Sequence, residues 1–271
     1  MQKQDCISWR GKDLALTIHY PSSNREDRLF PLLIICHGFT STRIGVDRLF
    51  VKAAQEFESL GFAVIRFDYA GCGESEGIYG ENEFADFIDQ TKSVISYGSR
   101  LSAIDPNLIT LIGHSLGGAV AACTAAEDKR IKNAVLWSAV GNPYEDITGI
   151  VGYDKHLFHR NLVIDHLGYA ITGAFISSLR SFSPMTIWNQ YKGNVLFVHG
   201  TTDDTISPDY CTLYYKHAKQ RHFGVSDMML IDGANHTFSS IPHFEVLIST
   251  TSQWLLKQVS KESHHQLKKS M

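Results

Sequence analysis

The sequence predicts an α/β fold in which a mostly parallel central sheet carries helices on both faces and an inserted subdomain. Three observations predict it. Short apolar, β-branched runs alternate with helix-forming stretches over residues 31–257, the pattern of strands joined by crossover helices. The runs are apolar at consecutive positions, as in Pro31-Leu32-Leu33-Ile34-Ile35-Cys36, which suits strands buried between two helical layers. The alternation stops over residues 141–192 and resumes at Asn194, so one segment lies outside the sheet.

The elements follow in order. Residues 6–9, a Gly11-Lys12 turn and residues 14–20 read as an antiparallel hairpin, and residues 22–28 as a polar loop. Residues 31–36 form a central strand that runs into His37-Gly38-Phe39-Thr40. A helix over about 47–60 stops at Gly61, and residues 62–67 are the next strand. The loop 68–75 contains Gly71 and Gly73 but has neither a G-K-[ST] ending nor a G-x-G-x-x-G spacing, so its glycines read as loop geometry, not as a nucleotide cradle. A helix over about 82–98 leads through Asp105-Pro106 to a strand at 108–112, and residues 116–126 are rich in strong helix formers. Residues 132–137 are a strand. The insertion, 141–192, carries helical fragments and many aromatics but no clear strand. A strand at 194–199, a helix at 209–221, a strand at 228–231 and a helix at 242–257 complete the pattern, with residues 261–271 as a frayed, disordered tail. The whole chain, 1–271, reads as one domain with one insertion.

Composition narrows the function. A net charge of −3 and a pI near 6.5 give no general electrostatic case for nucleic acid or an anionic membrane. Five scattered cysteines without C-x-x-C spacing argue against a disulfide framework and a zinc site. His156, His159 and His166 lack the accompanying cysteine or carboxylate set of a metal centre; neither metal nor cofactor is expected. The polar start and the lack of a long apolar run lead us to expect a cytoplasmic protein.

The chemistry centres on Gly113-His114-Ser115-Leu116-Gly117, a G-x-S-x-G pattern between a strand and a helix. Small flanking residues let strand and helix approach closely while the serine takes a strained turn, its hydroxyl beside a helix N-terminus. A serine needs a base, and the base needs an orienting acid. In parallel sheets ligands bind at the carboxyl ends of the strands, so the partners are sought on those loops. Of thirteen histidines, His236 lies on the glycine-containing loop after strand 228–231 and is the candidate base. The loop after strand 194–199 offers two adjacent carboxylates, Asp203 and Asp204, which physical reasoning alone does not separate.

Taken together, His37-Gly38-Phe39-Thr40, Arg66-Phe67-Asp68-Tyr69 with Gly71-x-Gly73-x-Ser75, residues 113–118, His199-Gly200-x-x-Asp203 and Gly233-Ala234-x-His236-x-Phe238 resemble the α/β-hydrolase superfamily. Within it the chain is most similar to bacterial carboxylesterases of the cinnamoyl (feruloyl) esterase type, with monoacylglycerol-lipase-like hydrolases as near relatives. The resemblance implies the triad Ser115, Asp203 and His236, favouring Asp203 over Asp204, and an oxyanion hole made by the backbone N–H groups of Phe39 and Leu116. It makes 141–192 a lid, with Tyr144, Tyr153, Tyr169 and Phe175 as candidate substrate-binding residues. The expected activity is a serine carboxylesterase acting on small-molecule short-to-medium acyl or aryl, including hydroxycinnamoyl, esters, in a chain that can also form a homodimer. A thioesterase, an acyltransferase or a monoacylglycerol lipase would use the same triad. A non-catalytic ligand-binding protein of this fold is the reading from another class.

Overall fold

The computed structural model describes residues 1–22, 29–152 and 161–269, with side chains described to residue 262. Ten strands are present among the described residues: β1 (Gln2–Trp9), β2 (Lys12–His19), β3 (Phe30–Cys36), β4 (Ala63–Phe67), β5 (Ile104–His114), β6 (Ile131–Trp137), β7 (Val163–His166), β8 (Tyr169–Thr172), β9 (Asn194–Gly200) and β10 (Ser226–Ile231). The helices are α1 (Leu49–Ser59), α2 (Phe84–Gly98), α3 (Leu116–Glu127), α4 (Pro143–Val151), α5 (Gly173–Ser178), α6 (Asp209–Ala218) and α7 (Ile241–Lys269). Eight strands form one sheet in the order β1-β2-β4-β3-β5-β6-β9-β10. The β1/β2 hairpin joins it antiparallel through β2 and β4, and every pairing from β4 to β10 is parallel.

Alternating side chains of the central strands feed two cores. Leu32, Ile34, Leu111, Leu136 and Phe197 pack on the side of α2, α3 and α6, whereas Leu33, Ile35, Ile112, Val135 and Leu196 pack on the side of α1 and α7. This is why consecutive positions are apolar: both faces are covered. α3 is buried almost all round, with ten of its residues inaccessible, and its small side chains let it lie close to the strands.

Register sets the site. Cys36 pairs with Gly113, His114 with Trp137, Trp137 with Val198, and His199 with Leu230. The carboxyl ends of β3, β5, β6, β9 and β10 therefore lie at one edge, and the loops leaving them open onto it. Among the described residues no helix is long and apolar enough to cross a membrane.

Two sequence expectations are corrected. The insertion contains strands: β7 and β8 form an antiparallel hairpin turned by Leu167 (φ 53°) and Gly168 (φ 86°). Two positive φ values across a two-residue loop make a turn whose twist suits a hairpin, and four-residue strands are too short to stand out in the sequence. At the other end, the backbone of α7 continues to Lys269, past the start of the expected tail at Lys261. Leu, Lys, Gln and Glu there are good helix formers.

Candidate active site

β5 ends at His114 and α3 begins at Leu116, so the turn falls on Ser115 alone, at φ 57° and ψ −125°. Positive φ in a residue with a Cβ costs roughly 1–3 kcal/mol and survives only where surrounding bonds hold it. They do so here: Ser115 N–H donates to Trp137 O (3.0 Å), and Ser115 O accepts from Gly118 N–H (2.9 Å) and Val140 N–H (3.1 Å). Gly117 is needed for a different reason. A Cβ on it would collide with the carbonyl oxygens of Cys36 and His37, so only glycine lets the start of α3 sit on the end of β3.

That contact brings the loop after β3 to the serine. A Cβ on Gly38 would lie 3.0 Å from Ser115 Cβ. Phe39 follows, and its N–H makes no hydrogen bond among the described residues. Leu116 is the first residue of α3, so its N–H precedes the first intrahelical acceptor. His37 is fully committed to this loop: its Nδ1 donates to Gly38 O (2.9 Å) and its Nε2 accepts from Tyr69 N–H (3.0 Å). Burial lowers its pKa, against the opposing pull of Asp68, and the hydrogen-bond pattern is that of the neutral ring.

The structure brings Asp203 and His236 together. His236 Nδ1 lies 2.7 Å from Asp203 Oδ2, with the carboxylate inaccessible and the imidazole 13% exposed. Asp204 is exposed, and its carboxylate accepts only from Thr205 Oγ1 (3.3 Å) among the described residues. The two adjacent carboxylates are thus separated by direction: Asp203 points inward, and its Oδ1 accepts the N–H groups of Thr205 (3.0 Å) and Ile206 (2.8 Å). Burial by itself raises the Asp203 pKa, but hydrogen bonds from His199 and His236 outweigh it and hold the carboxyl well below the usual range. The Ser115 hydroxyl makes no hydrogen bond to His236 in this structure among the described residues. In unliganded hydrolases this contact is often long and tightens with substrate.

His114 is a second tie between the loops. Its ring lies 4.8 Å from that of His236 and its Nε2 is 2.8 Å from His236 O. A carbonyl only accepts, so Nε2 carries the hydrogen. Burial, followed by the neighbouring His236, pushes the His114 pKa down to about 3. An unfolded histidine takes a proton near pH 6.5. The folded form therefore binds fewer protons between those values, so its stability is full above about pH 6.5 and is lost as pH falls toward 3. His114→Gln keeps a donor without the titration and is expected to flatten urea-melt stability between pH 7 and 4; an unchanged slope would assign the loss to other groups.

The candidate lid residues separate into distinct environments. Phe175 is fully buried and stacks on Phe39 (5.9 Å, 13°), with Tyr79 at 5.5 Å. Tyr169 is half-buried and lies edge-on to Tyr79 (5.8 Å). Tyr144 is buried beneath the Arg180 guanidinium, which lies 4.1 Å from its ring centroid and donates to its hydroxyl, so its aromatic face is taken up by packing. Tyr153, with His156 and His159, lies outside the described residues. His166 sits against Phe39 at 5.4 Å. Sequence reasoning missed Tyr79 and Gly80. A Cβ on Gly80 would collide with Ala170 O, and Thr172 Oγ1 donates to Gly80 O, so β8 lies directly on this turn. The glycine loop 68–75 is filled by its own buried Asp68 carboxylate, which pairs with the Arg43 guanidinium and accepts the N–H groups of Arg43 (2.5 Å) and Glu74 (3.0 Å).

Comparison with known proteins agrees with this architecture. The structure is similar to that of Est1E from Butyrivibrio proteoclasticus with ferulic acid bound, with a TM-score of 0.82, 24% identity, and coverage of 94% of this chain and 99% of that one. In sequence it is 38% identical over 136 residues to an uncharacterized 31.7 kDa protein of the traX-finO intergenic region of Escherichia coli, covering 50% of this chain and 46% of that protein. It is 34% identical over 105 residues to the quorum-quenching protein AidA of Acinetobacter baumannii, covering 37% and 33% respectively. The matched region thus spans less than half the length of these curated relatives. Residues 31–170 match the family described as alpha/beta hydrolase fold, and the chain belongs to that family.

Proposed function

We propose that the protein is a serine carboxylesterase that works through an acyl-enzyme on Ser115. The observation that carries this reading is the 2.7 Å contact of His236 Nδ1 with the inaccessible Asp203 carboxylate, at the sheet edge where Ser115 holds its strained turn. With Nδ1–H donated to Asp203, His236 keeps Nε2 free to act as base. Ser115 Oγ attacks the ester carbonyl carbon as His236 Nε2 takes its proton, and the imidazolium is stabilised by Asp203. The oxyanion is held by the N–H groups of Phe39 and Leu116, each worth about 2.7–4 kcal/mol in comparable hydrolases. The intermediate collapses, and the alkoxide leaves with the proton from His236. Water then attacks the acyl-serine with the same base, releasing the acid. No step calls for a cofactor.

The insertion, residues 141–192, serves as the lid in this reading. Phe39, Tyr79, His166, Tyr169 and Phe175 form an aromatic wall beside the oxyanion loop, which supports aryl as well as acyl esters. The ferulic acid in the similar Est1E structure supports the same substrate class. A panel of p-nitrophenyl esters from acetate to decanoate, methyl ferulate and acyl-CoA thioesters tests it. Turnover of short esters and of methyl ferulate, above that of acyl-CoA, is expected. Turnover of acyl-CoA alone would reassign the protein as a thioesterase, and no turnover without labelling by a fluorophosphonate would make it a binding protein.

A further inference from the structure

His199 belongs to none of the roles above, yet it is buried against the same carboxylate. It lies at the end of β9 and is 1% exposed. Its Nε2 is 2.9 Å from Asp203 Oδ2 and 3.2 Å from Ile206 O. Both neighbours are acceptors, so Nε2 carries a hydrogen and donates. Asp203 Oδ2 therefore receives two imidazole donors, His199 and His236, while Oδ1 receives two backbone donors. All four acceptor sites of the carboxylate are occupied.

We infer that His199 is a positioning residue that locks Asp203 toward His236 and, by sharing Oδ2, sets the proton affinity of His236. The inference rests on the triad reading. Two donors on one oxygen divide its negative charge, so each hydrogen bond is weaker than it would be alone. Removing His199 leaves His236 as the single side-chain donor to Asp203 among the described residues and favours the imidazolium. The base is then protonated to higher pH, and the acid limb of the rate profile moves up. The other ionisable groups around the pair leave this simple. His114 stays neutral against the His236 ring. On α6, Cys211 and Tyr214 border His199, and burial pushes Cys211 up to about 12 and Tyr214 well above its ordinary range. Asp204 and Asp232 on the flanking loops are exposed.

The test compares His199→Leu, which has no donor, with His199→Gln, whose amide nitrogen reaches close to the imidazole Nε2 position. The probe is kcat/KM for p-nitrophenyl butyrate between pH 5 and 9. In His199→Leu the acid limb is expected to rise by about one pH unit, the scale of one charge-assisted hydrogen bond, with kcat reduced about tenfold; His199→Gln should keep the wild-type limb. A packing role alone would lower activity and melting temperature without moving the limb, and that result overturns the inference, as does a Gln variant shifted like Leu. Should His199→Leu not fold, His199→Asn takes its place, since its amide stops short of Asp203, and the same limb shift is required. Wild-type enzyme and Ser115→Ala are run alongside. Activity that survives in Ser115→Ala sinks the triad reading itself, whereas a normal pair of controls with an unmoved limb sinks only the role of His199.

Discussion

Ser115→Ala is expected to abolish ester hydrolysis, with kcat falling by about 10⁶-fold and a residual of roughly 10³–10⁴ over water supplied by the oxyanion donors and binding. Labelling by a fluorophosphonate should disappear with it. The fold should persist, because the three backbone hydrogen bonds of Ser115 need no hydroxyl. Alanine does not relieve the strain at φ 57°, since it too carries a Cβ, so its melting temperature should stay near wild type. Ser115→Gly makes the sharper comparison. Glycine removes a strain of about 1–3 kcal/mol and returns about 0.4–1 kcal/mol through the greater freedom of the unfolded chain. The strain dominates, so the glycine variant should be as inactive as alanine and melt higher than either. Retained activity in both variants would refute the nucleophile; a glycine variant less stable than alanine would refute the strain.

The parts legible in the sequence are those where one residue type answers one local demand. The elbow needs small neighbours, and Gly117 stands where a Cβ would strike Cys36 and His37. The central strands need apolar residues at consecutive positions because two helical layers cover them. The parts that were not legible depend on direction or on distant partners. Asp203 and Asp204 are chemically alike and adjacent, and only the turn closed by the N–H groups of Thr205 and Ile206 aims one inward. Pro106 suggested that β5 begins after it, yet the strand runs from Ile104. The reason is a register shift against β3, where Phe30 pairs with Ile104 and Leu32 with Ile109. Pro106 falls in the unpaired stretch, where its missing N–H costs no ladder bond. Tyr79 meets Phe39 and Phe175, and Gly80 lies under β8, ninety residues later; these are distant partners, and nothing in the local sequence announces them.

Asp203→Asn should lower kcat by about 10⁴-fold, the effect of presenting a base in the wrong tautomer, while Asp204→Asn should leave kcat/KM within about threefold of wild type, as surface changes usually do. The first expectation follows from counting donors. Asp203 accepts four hydrogen bonds, two from backbone N–H groups and two from imidazoles. An asparagine has one oxygen and one NH₂ in that place. The N–H groups of Thr205 and Ile206 cannot give up their protons, so the amide oxygen stays on their side and the NH₂ turns toward the histidines. His236 must then accept at Nδ1 and carry its hydrogen on Nε2, where it can no longer take a proton from Ser115. Stability should change with pH as well. The Asp203 pKa is lowered in the folded protein, so the carboxylate contributes stability above its unfolded value of about 3.9 and loses it as pH falls below that. Asp203→Asn should therefore lose stability at pH 7 and converge on wild type in strong acid, as read by urea melts across that range. A larger activity loss at Asp204 than at Asp203 would overturn the assignment of the acid, and with it the hydrogen-bond count on which the tautomer rests.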